Sequence, residues 1–346
     1  MGNETTSQGR QPKIWHALIS FLALVLVMSI GIAYYEVDPH VPMFIGVIVA
    51  AVVSLSLGFK WGEIEGMMIS GISKAMQAIL ILAIVGMMIG VWLVSGTIPT
   101  MIYYGLKLLS PSIFLIAALL VCSITSLATG TSWGTAGTMG LALMGIAQGL
   151  GMPLGVTAGA ILSGAYFGDK LSPLSDTTNL APAMAGTDVF THVKYMLKAT
   201  GVAYVIAIVF FGIYGFQHAA SGNANLEQAQ ILSDGIKNTF NINPVLLLPP
   251  VIVIAAIALK IPAIPGITLG LISGAVMAPI FQGDLAIFND EMKLLHNGVT
   301  FGDVLSIARN GFICNTKIES LNSLLTNGGL MNMSSSILMS VIAMMF

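Results

Sequence analysis

Two aspartates, Asp169 and Asp176, bracket a proline in the run Asp169-Lys170-Leu171-Ser172-Pro173-Leu174-Ser175-Asp176-Thr177-Thr178-Asn179. Hydroxyl side chains at Ser172, Ser175 and Thr177 lie between and beside them. A hard cation such as Na⁺ takes oxygen ligands, by extension of the rule for Ca²⁺ and Mg²⁺, and carboxylates, hydroxyls and freed carbonyls supply them. Carboxylates in a dry setting also hold protons. Desolvation favours the neutral acid, a neighbouring carboxylate favours it again, and a bound cation opposes both. Residues of these types at this spacing can therefore trade a cation for protons. A second hydroxyl-rich run, Thr129-Gly130-Thr131-Ser132-Trp133-Gly134-Thr135-Ala136-Gly137-Thr138, adds Thr131, Ser132 and Thr135 as candidate ligands.

The surroundings say where this chemistry sits. From Leu108 to Gly168 the chain has no Lys, Arg, Asp or Glu. A charge at bilayer depth costs roughly 2.5–3.5 kcal/mol on insertion scales, so such groups are usually paired and functional. The 346 residues are 56% hydrophobic and 8% charged, with a mean hydropathy of +0.90. Soluble domains carry about 25% charged residues, so a soluble fold is excluded. A net charge of −2 argues against a nucleic-acid partner. Cys122 and Cys314 match no metal or redox spacing and read as packing residues. The five histidines lie near span ends or in a loop, where interfacial or solvated roles are expected.

The elements that must position the site are membrane helices. Ile14–Tyr34 is too long for a signal-peptide core of about 7–15 residues and long enough to span. Further spans are expected near 42–58, 76–96, 111–128, 134–150, 154–187, 195–216, 244–259 and 265–282, with a last apolar stretch from Gly328. Polar loops are expected over 217–243 and 283–310. The reading is an all-α polytopic membrane protein of about ten transmembrane segments, one transmembrane domain over 1–346 with a polar tail over 1–12. The helix through Asp169 must break at Pro173, which lacks an amide hydrogen and clashes with the preceding turn. Non-helical backbone survives at membrane depth only where protein or a water-filled cavity surrounds it, and transporters build ion sites in this way. Two plainer readings stand beside this one: Asp169 and Lys170 as a structural ion pair or interfacial loop, and Thr131–Thr138 as close helix packing through small residues. The Lys and Arg of the short loops put the N-terminus in the cytoplasm. The final segment ends without interfacial anchors, so the C-terminal end reads as truncated.

The stretch Gly168-Asp169-Lys170-Leu171-Ser172-Pro173-Leu174-Ser175-Asp176-Thr177-Thr178, preceded by Gly130-Thr131-Ser132-Trp133-Gly134-Thr135, resembles the NhaC family of sodium/proton antiporters. The resemblance implies Na⁺/H⁺ exchange in a bacterial inner membrane, with Asp169, Ser172, Ser175, Asp176 and Thr177 as ion-site residues. It implies an inverted-repeat architecture whose second half carries another broken, acidic segment, which this chain ends too soon to complete. It implies Na⁺, H⁺ and membrane lipid as partners, with no cofactor. The family includes malate/lactate exchangers, so a small organic acid is the alternative substrate. Lys170 is then the candidate cation for its carboxylate. An intramembrane aspartyl protease needs Gly-x-Gly-Asp, and Tyr166-Phe167-Gly168-Asp169 lacks the first glycine. No enzyme activity is expected, and a channel is the remaining rival.

Overall fold

In lipid only a helix satisfies every backbone polar group within one segment, so long apolar runs become helices. The computed structural model describes residues 13–130, 132–172, 175, 178, 182, 187–220, 226–259, 261–288, 293–326 and 328–346. It is mostly helical. Among the described residues, four helices are long and apolar enough to cross a membrane: Ile14–Ala33, Trp61–Val94, Thr191–Ala220 and Ile264–Phe281. Shorter apolar helices are His40–Ser56, Pro111–Leu127 and Leu330–Met345.

The chain divides into two compact units, 1–80 with 334–346, and 81–333. In the smaller unit α1 (Ile14–Ala33) and α2 (His40–Ser56) form an antiparallel pair, with Gly31 facing Pro42 and Gly46 facing Leu24. Small residues let the backbones approach, as membrane helix pairs require.

The larger unit holds the main core, where Met88, Trp92, Phe114, Leu115, Leu119 and Ile146 are fully or almost fully buried. The helix α3 (Trp61–Val94) contributes its second half to it. There α4 (Thr97–Leu108), α5 (Pro111–Thr129), α6 (Ser132–Thr135), a π-helical turn (Ala136–Gly140) and α7 (Leu141–Gly149) follow. Next come α8 (Leu154–Leu171) and α9 (Val189–Ala220). Gly164 meets Leu119 and Cys122, and Gly168 meets Ser123, Ser126 and Leu127, so α5 and α8 run parallel. Gly212 against Ile116 and Gly215 against Ser112 set α9 antiparallel to α5. The polar end of Gln282 ties three chain breaks together, donating to the carbonyls of Ser95 and Asn241 at 3.1 Å and accepting from the Asn241 amide.

Both expected loops contain structure. Within 217–243 the segment α10 (Leu226–Thr239) is helical, because Ala229, Leu232, Ser233 and Ile236 repeat at helical spacing and are buried. A helix pair over Ala229–Thr239 and Pro244–Ala256, the latter within the 3₁₀ turn Pro244–Leu247 and α11 (Leu248–Ala258), bends by 104°. After α12 (Ala263–Phe281), the stretch 283–310 forms a hairpin of β1 (Ala286–Phe288) and β2 (Leu294–Asn297), then α13 (Phe301–Asn310). The chain ends in α14 (Glu319–Leu325) and α15 (Leu330–Met345).

A capping box starts α13: Thr300 Oγ1 accepts from the Asp303 amide at 3.3 Å, and Asp303 Oδ2 accepts from the Thr300 amide at 2.8 Å. Asp303 Oδ1 also lies 3.2 Å from His296 Nε2. Burial acts to raise the Asp303 carboxyl, but the Thr300 hydroxyl and amide and the His296 ring outweigh it and hold the carboxyl below its ordinary value. A depressed carboxyl contributes stability above its unfolded pKa and loses it as pH falls through the folded one. Thr300→Ala should therefore cost about 1 kcal/mol locally. Amide exchange across Phe301–Asn310 should speed up in the variant at neutral pH. In the native chain the same amides should lose protection only below the ordinary carboxylate range. Equal protection in both chains at neutral pH would sink the idea.

Candidate functional site

The parallel pairing of α5 and α8 decides which residues meet. Ser126 Oγ donates to the Ala165 carbonyl at 2.5 Å, so residues near 130 stand level with residues near 169. The chain leaves α5 through Gly130, whose φ of +66° suits a glycine helix cap, and re-enters a helix at Ser132. At that level Ser132 Oγ donates to Asp169 Oδ2 at 2.9 Å. Asp169 is only 8% exposed, and Ser132, Thr135, Ser172, Ser175 and Thr178 around the two breaks are buried as well. A buried carboxylate with a cluster of hydroxyls is a hard-oxygen environment.

The break itself follows a local rule. Proline disfavours the helical region for the residue before it. Ser172 is accordingly extended, with φ −77° and ψ 123°, and α8 stops at Leu171. Pro173, Asp176 and Thr177 lie outside the described residues, as does Thr131. The helix ends two residues past Asp169, so the negative end of its dipole bears on the site and favours a cation there.

The end of α8 is covered in a way that the sequence does not announce. Thr178 Oγ1 lies 3.1 Å from both the Asp169 and the Lys170 carbonyl, and the Ser172 amide reaches the Asp169 carbonyl at 3.2 Å. The Asp169 and Lys170 carbonyls at the break are thus engaged by hydroxyl and amide donors. Thr178 belongs with the site, and its place in the hydroxyl run after Ser175 was the available signal. The Ser175 amide closes a turn on the Ser172 carbonyl at 3.2 Å.

Thr135 leads directly into the π-helical turn Ala136–Gly140. Such single turns recur at functional positions because they displace the next residues around the helix axis. Within this turn Gly137 accommodates the side chain of Val85. The expected span over 134–150 is therefore helical but not uniform.

No ion pair joins Asp169 and Lys170 among the described residues, so the plain ion-pair reading does not hold for the described atoms. Asp169 is held by Ser132, whereas Lys170 faces the groove between α8 and α9. No group of three or more metal-ligating His, Cys, Asp or Glu side chains occurs among the described residues. Among the described residues the breaks bring together one carboxylate, Asp169, and a set of hydroxyls.

The profile of the Na⁺/H⁺ antiporter family matches residues 164–346, which begins at the glycine pair packing α8 on α5 and includes Asp169. The chain is 41% identical to the malate-2H⁺/Na⁺-lactate antiporter of Bacillus subtilis over 97% of its own length and 69% of that protein. It is 34% identical to the Na⁺/H⁺ antiporter NhaC of Alkalihalophilus pseudofirmus over 94% of its length and 67% of that protein. Against the arginine/ornithine antiporter ArcD of Halobacterium salinarum it is 33% identical over 93% of its length and 64% of that protein. No solved structure matches the chain. A multi-pass helical membrane protein with this match and these relatives is a transporter, and the chain belongs to the NhaC family of Na⁺/H⁺ antiporters.

Proposed function

We propose that the protein exports Na⁺ in exchange for H⁺, with the ion bound at Asp169 and Asp176 among the hydroxyls of Ser132, Thr135, Ser172, Ser175 and Thr177, and with Thr131 beside them. The observation that carries this reading is the buried Asp169 carboxylate held by Ser132 where two helix breaks stand level. When a cation arrives, the Ser132 hydroxyl can rotate its hydrogen away and present a lone pair, as a hydroxyl both donates and accepts. The carboxylate then neutralises the ion instead of a proton. In this reading about ten membrane segments form an inverted repeat, and rocking of one helical group against another opens the site to each side in turn. The shorter apolar helices and the broken segments supply the spans beyond the four long ones. The membrane is the bacterial inner membrane, with the N-terminus in the cytoplasm.

The organic-acid alternative is favoured by one observation, the 41% identity to the malate/lactate antiporter. Everted vesicles holding an acid-inside gradient separate the two readings. Collapse of the gradient by NaCl alone supports Na⁺/H⁺ exchange. A response that waits for malate or lactate supports the organic-acid exchanger and overturns the first reading.

A further inference from the structure

Beside the carboxylate site, and facing away from it, lies a groove of about 260 Å³ between α8 and α9. Its walls are two helical stripes: Ser163, Tyr166, Phe167 and Lys170 on α8, and Thr200, Ala203, Tyr204 and Ala207 on α9. Both follow the i, i+3, i+4, i+7 spacing of one helix face. Phe167 stacks on Tyr204 with ring centroids 3.6 Å apart, forming an aromatic floor. Ala203 and Ala207 leave the space that larger side chains would fill.

The polar groups of the groove are mostly spoken for. The Tyr204 hydroxyl lies 2.6 Å from Ser123 Oγ, and the Thr200 hydroxyl donates to the Met196 carbonyl at 2.7 Å. Ser163 stands seven residues from Lys170, about 10 Å along the helix, too far to share one carboxylate with it. The Lys170 ammonium meets no acceptor among the described residues, in the last turn of α8, where a long lysine stem can lie along apolar surface with its charged head at the end of the groove. The flank of α9 next to the groove is exposed and apolar at Val202, Val205, Ile206 and Val209. A small dicarboxylate needs several convergent donors, and this groove offers one cation above an apolar strip. That chemistry matches an amphipathic anion.

We propose that the groove between α8 and α9 is a binding site for an anionic phospholipid, its headgroup phosphate paired with Lys170 and one acyl chain lying along Tyr166, Phe167, Ala203 and Ala207. This site is independent of what Asp169 carries. A lipid seated there touches the helix that bears the carboxylate, at Phe167, two residues before Asp169.

Native mass spectrometry of the purified chain, with phosphatidylglycerol and phosphatidylcholine supplied in equal amounts, reads the proposal. The native chain should retain phosphatidylglycerol about fivefold over phosphatidylcholine, the ratio equivalent to about 1 kcal/mol for one basic residue against an anionic headgroup. Lys170→Gln should remove the preference while Lys170→Arg keeps it. Ala207→Phe, which fills the strip, should lower retention of both lipids. Equal retention of the two lipids by the native chain would overturn the proposal, as would an undiminished preference in Lys170→Gln. Release of the bound lipid by malate or lactate would overturn it in favour of an organic-acid site. Lys170→Arg binding like the native chain shows that any loss in Lys170→Gln comes from charge and not from folding.

Discussion

Asp169→Asn should leave a folded protein in which added Na⁺ no longer moves protons. The asparagine side chain matches the carboxylate in shape, and its oxygen can still accept from Ser132, so the contact of 2.9 Å and the packing around it are kept. What disappears is the charge. A neutral amide neither exchanges a proton near neutral pH nor compensates a bound cation, and burial leaves little water to do so instead. The Na⁺-induced collapse of an acid-inside gradient in everted vesicles should fall to the level of vesicles without the protein. Ser132→Ala should act more gently. It removes the hydroxyl oxygen that turns to the bound cation, a contact comparable to a hydrogen bond to a charged group at about 1.5–3 kcal/mol, and should raise the half-saturating Na⁺ concentration roughly tenfold or more. A full Na⁺ response from Asp169→Asn would remove Asp169 from the mechanism altogether.

The second large effect concerns packing. Gly168 sits against α5 so closely that a Cβ would collide with the Ser123 carbonyl oxygen and lie 2.6 Å from the Leu127 amide nitrogen. Both neighbours are helix backbone and cannot turn aside as a side chain could. Gly168→Ala must therefore push α5 and α8 apart, at a cost typical of overpacking, about 1–3 kcal/mol, with the separation felt at the Ser132–Asp169 contact. Gly155 on the same helix provides the comparison, because a Cβ there meets nothing within 4 Å. Gly155→Ala should be neutral or stabilising by up to about 1 kcal/mol, the usual helical preference of alanine over glycine. Thermal unfolding in detergent should show a clear drop for Gly168→Ala and none for Gly155→Ala. Equal stability of the two variants would mean that the close approach of α5 and α8 is not needed.

Some of this was open to reading in the chain itself. The break after Asp169 was legible because proline acts on the residue beside it, and Ser172 is extended as that rule demands. The first helix was legible from an apolar run of spanning length. The partner of Asp169 was not, since Ser132 lies 37 residues away and meets it only because α5 and α8 run parallel. Candidate ligands could be gathered by composition, but the pairing needed the packing. Helix α10 was hidden because a mostly polar segment carries few apolar residues, and only their spacing reveals the buried face. The start of α3 at Trp61 was obscured by Glu63, Glu65 and Lys74, which read as loop charges although the helix simply continues through them.

The joint between α5 and α8 has a mechanical consequence. With Gly164 and Gly168 seated against backbone and Ser126 bonded across to Ala165, these two helices cannot slide or twist past each other without breaking that seam. They form one plate. Asp169 therefore travels with α5 in any large displacement of the protein, and its surroundings can be rearranged only from the opposite margin. That margin is the irregular backbone of the π-helical turn, the Gly130 corner and the extended Ser172. Pivots belong at those three places, and a crosslink between α5 and α8 should leave them free to turn.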